Sequence, residues 1–215
     1  MILHGYWRSG TSYRTRIALN LKGLTYDQVG VDLRTGAQRS EAFLALNPQG
    51  MVPALELGPE DGGPAVLTQS PAILEWLDEA FPEPPLLPVN KIERAHVRAM
   101  AALVECDVHP LNNLRVLKAV REISGADQAD TDAWAARWIR PGFEALESLI
   151  ARHGRGWCFG ETPTLADCCL IPQAYSAARF NIPLDPWPRI AAVAARAELH
   201  PAFAAAHPDR QADAD

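Results

Sequence analysis

Residues 7–16 read WRSGTSYRTR and follow the apolar stretch Ile2-Leu3-His4-Gly5-Tyr6. They bring together the hydroxyls of Ser9, Thr11 and Ser12 and the guanidinium groups of Arg8, Arg14 and Arg16, with no cysteine and no carboxylate. Such a set has no strong nucleophile or general base of its own. It is suited to holding an anion: a helix opening here presents amides without intrahelical partners and a partial positive charge, and the hydroxyls add donors. A charge-assisted hydrogen bond of about 1.5 to 3 kcal/mol and a helix end worth roughly 0.5 to 2 kcal/mol sum to about 2 to 5 kcal/mol. That is enough to bring a thiol of ordinary pKa about 8.5 down to roughly 5 to 7, so that thiolate dominates at neutral pH.

The elements that must position this segment follow from periodicity and breakers. A strand near 2–6 leads to a helix from about Ser12 to Lys22, with Ile17, Ala18 and Leu21 on one face and Gly23 as its stop. A strand over 26–33 and a short helix near 38–46 come next. After Asn47-Pro48-Gln49-Gly50, a strand over 52–57, a turn over 58–64 and a strand over 65–68 form an antiparallel hairpin. Ser70 is the expected N-cap, and Pro71 the first helical residue, of a helix ending near Phe81. The order is βαβ then ββα.

The proline-rich stretch from Pro82 to Pro88 cannot continue a helix and reads as a linker. Three parts follow: a domain over 1–81, a linker over 82–90 and an all-α domain over 91–215. Helices are expected at 91–121, 129–153, 164–180 and 187–206, with Pro110 interrupting the first and His207 to Asp215 frayed. Thr164-Leu-Ala-Asp167 has capping-box spacing, the Thr164 hydroxyl accepting from the Asp167 amide while the carboxylate reaches back.

With 215 residues and 48% hydrophobic content, the chain can bury substantial cores. A net charge of -6 without long charge runs argues against nucleic acid as a partner. Cys106, Cys158, Cys168 and Cys169 form no C-x-x-C and read as small core residues, with no metal site expected. No apolar run approaches membrane-spanning length, and a cytoplasmic location is expected.

A βαβ-ββα unit with a site where the first strand meets the first helix is the layout of thioredoxin-like folds. Members that exchange disulfides carry C-x-x-C at that junction; Ser9-Gly10-Thr11-Ser12 stands there instead, so the chain's own thiols do no redox chemistry at it. The thiol must come from outside, and glutathione is the abundant soluble candidate.

The chain resembles the zeta-class glutathione transferases, the family of maleylacetoacetate isomerase and maleylpyruvate isomerase. The resemblance runs through Arg8 to Leu19, Ala45-Leu46-Asn47-Pro48, Val52-Pro53, Gln69-Ser70 and Asp185-Pro186-Trp187-Pro188. It implies the glutathione transferase fold: an α/β N-terminal thioredoxin-like domain (βαβ-ββα) that binds glutathione, followed by an all-α C-terminal helical domain that binds substrate. It implies a homodimer as well.

The resemblance also assigns roles. Ser9 is the principal thiolate donor, in a catalytic set with Thr11 and Arg8. Ser9, Gly10, Thr11, Gln38, Gln49, Val52, Pro53, Gln69, Ser70, His109 and Asn113 bind glutathione. In this assignment Pro53 is a cis-proline that turns the Val52 backbone toward the cysteinyl unit, and Gln69-Ser70 grip the γ-glutamyl group. Arg8, Arg179 and Asn113 hold a small dicarboxylate substrate; each arginine can hold a carboxylate bidentately. Arg14 and Arg16 need be no more than structural or solvated charges.

The implied activity is glutathione-dependent cis-trans isomerisation of maleylacetoacetate or maleylpyruvate, in aromatic amino acid or gentisate catabolism. A conjugating glutathione transferase and a non-catalytic binding module are the alternatives. The family's usual Ser-Ser-Cys is Ser9-Gly10-Thr11 here, a variation of the maleylpyruvate type, whereas Leu114 resembles the maleylacetoacetate type.

Overall fold

β1 (Ile2–Gly5) lies inside a four-stranded sheet of order β2-β1-β3-β4, in a computed structural model that describes residues 1–214. It pairs in parallel with β2 (Asp27–Gly30), Leu3 beside Gln28, and antiparallel with β3 (Ala54–Leu57), Leu3 opposite Leu55. β4 (Ala65–Thr68) completes the antiparallel hairpin with β3, Leu67 opposite Leu55. Leu3 and Leu55 are fully buried, as the period-2 alternation of strand side chains requires. Against the sheet, α1 (Gly10–Leu21) buries Ile17, Ala18 and Leu19, and α3 (Ser70–Ala80) buries Ile73, Leu74 and Leu77. The expected βαβ-ββα order is therefore present.

Three helix starts differ from expectation. α1 begins at Gly10, not near Ser12, because Ser9 is its N-cap and accepts from the Ser12 amide at 3.4 Å. α2 (Glu41–Leu46) starts later, after a 3-10 turn over Ala37–Arg39, with Ser40 capping the Phe43 amide. The N-cap of α3 is Gln69, at φ 66°, so Ser70 is the first residue of the helix and not its cap.

The chain forms two compact units, residues 1–85 together with the C-terminal stretch from His200, and residues 86–199. Of the stretch expected to be frayed, residues 207–214 are ordered as part of the first unit, and Asp215 lies outside the described residues. α9 (Pro201–Ala206) packs on α1, Asn20 Nδ2 donates to Ala202 O at 2.9 Å, and a 3-10 turn over Pro208–Arg210 follows. At the C-terminal end of α1, buried Lys22 donates to Asp78 Oδ1 at 2.9 Å and to Pro84 O at 2.7 Å.

The second unit is helical. The span expected as one helix over 91–121 is α4 (Lys91–Ala102), a π-helical stretch over Leu103–Val108, a 3-10 turn over His109–Asn112 and α5 (Leu114–Ser124). Pro110 has no amide to give the α-helical ladder and its ring crowds the preceding turn, so the backbone widens and then tightens around it. α6 (Gln128–His153), α7 (Leu165–Arg179) and α8 (Pro188–Leu199) complete the unit around Val97, Val104, Phe143, Leu146, Leu170 and Ile190. The last expected helix, 187–206, divides at His200, which caps the Ala202 amide ahead of Pro201. No helix among the described residues is long and apolar enough to cross a membrane.

Cys158, Cys168 and Cys169 are buried as expected, and burial pushes the Cys158 thiol well up, with the Asp167 charge adding to it. Cys106 is exposed, because its position in the π-helical stretch turns it away from the unit's interior.

The capping box of α7 is present, and the Thr164 hydroxyl in addition donates to Asp167 Oδ2 at 2.8 Å. The Thr164 amide reaches the same oxygen at 2.8 Å, and the Cys158 amide reaches Oδ1 at 2.8 Å. Asp167 is thus a fully buried junction between the 157–160 loop and α7 as well as a cap. Asp167→Ala leaves two buried amides without an acceptor, so it is expected to cost about 3 kcal/mol or more in urea denaturation, against about 1 kcal/mol for an exposed cap.

Burial outweighs these three donors and raises the Asp167 pKa above its ordinary 3.8. The folded state therefore binds this proton more readily than the unfolded one. Asp167 contributes most below the unfolded pKa, and the contribution falls as pH rises through the folded value. The stability gap between wild type and Asp167→Asn is accordingly expected to narrow between pH 4 and pH 7.

Candidate active site

The corner between β1 and α1 is built from backbone first. The Ser9 amide donates to Tyr6 O at 3.0 Å, closing a turn that delivers Ser9 to the cap position, and the Tyr6 amide donates to the buried Ser12 hydroxyl at 3.2 Å. The amides of Gly10 and Thr11 then open the helix, where no intrahelical acceptor reaches them.

The hydroxyls at this corner form an ordered chain. Thr11 Oγ1 lies 2.9 Å from Val52 O, and because a carbonyl only accepts, Thr11 spends its single proton there. Ser9 Oγ lies 2.8 Å from Thr11 Oγ1, so Ser9 is the donor in that bond. The direction therefore runs from the Ser12 amide to Ser9, then Thr11, then Val52 O.

Val52 belongs to a loop with its own organiser. The Val52–Pro53 peptide is cis, as expected. Buried Asn47 donates through Nδ2 to Met51 O at 2.6 Å and accepts from the Gln49 amide at 3.1 Å, fixing the approach to Val52. Sequence reasoning included Asn47 in a motif but gave it no role; an Asn three residues before a Gly, able to accept from the amide two residues on, is the signal that could have supplied one.

Gln49 and Gln69, expected at one site, meet directly, with Gln69 Nε2 donating to Gln49 Oε1 at 2.5 Å. The positive φ of Gln69 costs a non-glycine residue on the order of 1 kcal/mol, a departure that functional sites often hold. Beside it, buried Ser70 accepts at 3.5 Å from Arg14 Nη1. Gln38 is half-buried, and its Oε1 is enclosed without a hydrogen-bond partner among the described residues. Arg8 is half-buried, its guanidinium 5.2 Å from the centroid of the Trp7 ring.

Arg14 and Arg16 are not solvated charges: they are 2% and 0% exposed. Arg16 donates through Nη2 to Trp7 O at 2.8 Å and through Nε to Ala206 O at 3.0 Å, so backbone carbonyls take up donors on two of its nitrogens.

The remaining candidates belong to the second unit. His109 lies in the 3-10 turn, Asn113 caps α5 through its Oδ1 and the Arg115 amide at 3.1 Å, and Arg179 closes α7 with its side chain exposed. Asn113 thus has a structural task, and Leu114 is 44% exposed.

A family model described as glutathione S-transferase, N-terminal domain, matches residues 8–80, and one for the glutathione S-transferase C-terminal domain matches residues 128–196. The chain is 50% identical over 216 residues to a maleylpyruvate isomerase of Ralstonia sp, covering 99% of each. It is also 50% identical over 215 residues to a maleylacetoacetate isomerase of Pseudomonas aeruginosa, covering 99% of this chain and 98% of that one. Among solved structures, the holo structure of a maleyl pyruvate isomerase described as a bacterial zeta-class glutathione S-transferase superposes with a TM-score of 0.95 at 50% identity over 100% of both chains. A maleylacetoacetate isomerase of Anaeromyxobacter dehalogenans, with dicarboxyethyl glutathione and citrate bound in its active site, gives 0.89 at 42% identity, over 100% of this chain and 93% of that one. The chain belongs to the glutathione S-transferase family, in its zeta class.

Because Thr11 closes the chain from Ser9 to Val52, Thr11→Val is expected to lower the unfolding free energy by about 1 to 2 kcal/mol. Thr11→Ser, which keeps the hydroxyl, should recover most of the loss in the same urea titration.

Proposed function

We propose that the protein is a glutathione-dependent cis-trans isomerase of small cis-enoyl dicarboxylates of the maleylacetoacetate and maleylpyruvate kind. The observation that carries this reading is the β1–α1 corner, with a capping hydroxyl, two helix-opening amides and an arginine but no thiol. The relatives support it: two carry these isomerase names, and the ligand of a third is by name a glutathione bearing a dicarboxylic substituent.

The residues fit glutathione. The enclosed Gln38 Oε1 offers an acceptor, and the paired Gln49 and Gln69 side chains with Ser70 at the opening of α3 suit the γ-glutamyl end. The Val52 backbone suits the cysteinyl unit in the manner of an added strand. The family resemblance adds His109 and Asn113 to the residues assigned to glutathione. When bound, glutathione supplies a thiolate that adds reversibly to the cis double bond, so that rotation about the resulting single bond and expulsion of the sulfur leave the trans isomer.

The chain's own groups provide the rest. Ser9 turns its proton from Thr11 toward the sulfur, and Thr11 can then donate to Ser9 Oγ, which polarises Ser9 and releases Val52 O for pairing with the ligand backbone. The Gly10 and Thr11 amides hold the same negative charge without having to move. The family resemblance assigns the substrate carboxylates to Arg8 and Arg179, and a guanidinium beside each would stabilise charge that develops there. The reading includes a glutathione-binding domain over 1–81, a substrate-binding helical domain after the linker, a homodimer and a cytoplasmic location, all carried from the family.

Ser9→Ala is expected to lower kcat by at least about tenfold and to change the glutathione Kd by less than about threefold, because its bond strengthens when the thiol ionises. Turnover of maleylacetoacetate and maleylpyruvate, followed side by side with free glutathione, tests the activity. Glutathione should stay constant while the trans acid accumulates. Its stoichiometric loss would instead mark a conjugating transferase.

A further inference from the structure

Trp7 joins β1 to the Arg8–Ser9 corner, and its peptide groups are held on both sides by interactions that lead to the C-terminal stretch. The Trp7 amide donates to Asp213 Oδ2 at 3.0 Å, and Asp213 Oδ1 accepts from Gln28 Nε2 on β2 at 2.9 Å. The Trp7 carbonyl accepts from Arg16 Nη2 at 2.8 Å, while Arg16 Nε donates to Ala206 O at 3.0 Å, at the end of α9. One grip is a carboxylate from the tail itself. The other is a fully buried guanidinium anchored on the helix that precedes the tail.

The surroundings are shaped for this approach. A methyl group on Gly30 would stand 3.1 Å from Asp213 Cβ and 3.3 Å from Oδ2, so the bare backbone of β2 lets the carboxylate in. Ala214 packs against the cluster that includes Tyr6, Trp7, Val31 and Val52. Trp7 is tied to both Arg8 and Ser9. Its ring is the platform under Arg8, and the turn from Tyr6 O to the Ser9 amide spans it.

We propose that Asp213 and Arg16 are positioning residues for Arg8 and Ser9, the C-terminal tail clamping the Trp7 peptide and so setting the geometry in which the corner holds a thiolate. The inference rests on the reading of that corner as the thiolate site, and adds the tail to the functional machinery.

The test compares Asp213→Ala, Asp213→Asn and wild type in the full-length protein. The Ala variant removes charge and acceptor. The Asn variant removes the charge alone: its amide oxygen can take the Trp7 amide, and its NH2 group can face Gln28 Oε1, which is enclosed without a partner among the described residues. Removing a negative charge near a thiolate lowers the thiol pKa, whereas loosening the clamp raises it, so the two causes have opposite signs.

For Asp213→Ala we expect the thiol pKa of bound glutathione, read from thiolate absorbance, to rise by about half a unit or more. We expect kcat to fall about tenfold with a smaller change in KM, and the Trp7 amide to exchange faster with deuterium in the ligand-free protein. Asp213→Asn should return all three to near wild type.

A purely structural role would lower the Ala variant's melting temperature while leaving thiol pKa and kcat in place, and that result overturns the proposal. So does an Asn variant that behaves like the Ala variant. The thiol pKa and the exchange rate require no isomerase substrate, so a wild-type enzyme that binds glutathione but fails to isomerise would count against the proposed reaction and leave the clamp to be judged separately.

Discussion

Thr11 has one hydroxyl proton and Val52 O can only accept, and from that constraint the arrangement of the first unit can be followed outward. Ser9 must donate to Thr11, so its lone pairs stay turned toward the Ser12 amide and the start of α1 is fixed at Gly10. Val52 in turn lies where Asn47 holds the preceding loop, and Gln49 of that loop reaches Gln69 at the opening of α3. Three segments distant in sequence are thus joined by side chain to backbone and side chain to side chain bonds. A displacement at any one is felt by the others because buried polar groups are costly to leave unpaired.

The same economy of donors and acceptors explains the buried charges. Arg16 has no exposed surface, yet two of its nitrogens meet backbone carbonyls that would otherwise be enclosed. Asp167 in the other unit does the converse, offering acceptors to two amides and a hydroxyl. In both cases the ion is retained because backbone groups of two different segments need it. Replacing either by an apolar side chain of similar volume would leave several orphans at once.

The local features of this fold were legible in the sequence. Strand and helix alternation, the Thr164 box, the interruption at Pro110 and the hydroxyl-rich corner all follow from signals within a few residues. What was not legible depends on contacts across the chain. Asp213 meets Trp7 across 206 positions, and neither residue's neighbours announce it. Arg16 in an apolar helix looks like a solvated charge until α9 is seen to pack on α1. Gln69-Ser70-Pro71 is compatible with a cap at either of its first two residues, and the positive φ that selects Gln69 is imposed by its surroundings. Pro110 announces a break, but nothing in its neighbours specifies that a π-helical stretch and then a 3-10 turn take the place of the α-turns there.

The departure from Ser-Ser-Cys can be read in the same terms. At its second position the motif contributes an amide, which glycine supplies as well as serine does, and without a side chain. At the third it contributes an amide and a side chain, and Thr11 exchanges a thiol for a hydroxyl that donates to Val52 O more strongly than a thiol could. For the thiolate site proposed above, the donors are therefore unchanged in kind, while a group that could itself be oxidised is removed from beside it. No cysteine precedes position 106, so the thioredoxin-like unit contains no thiol of its own to compete with a bound one. The corner gains a firmer tie to the Val52 loop and keeps its capacity to hold an anion.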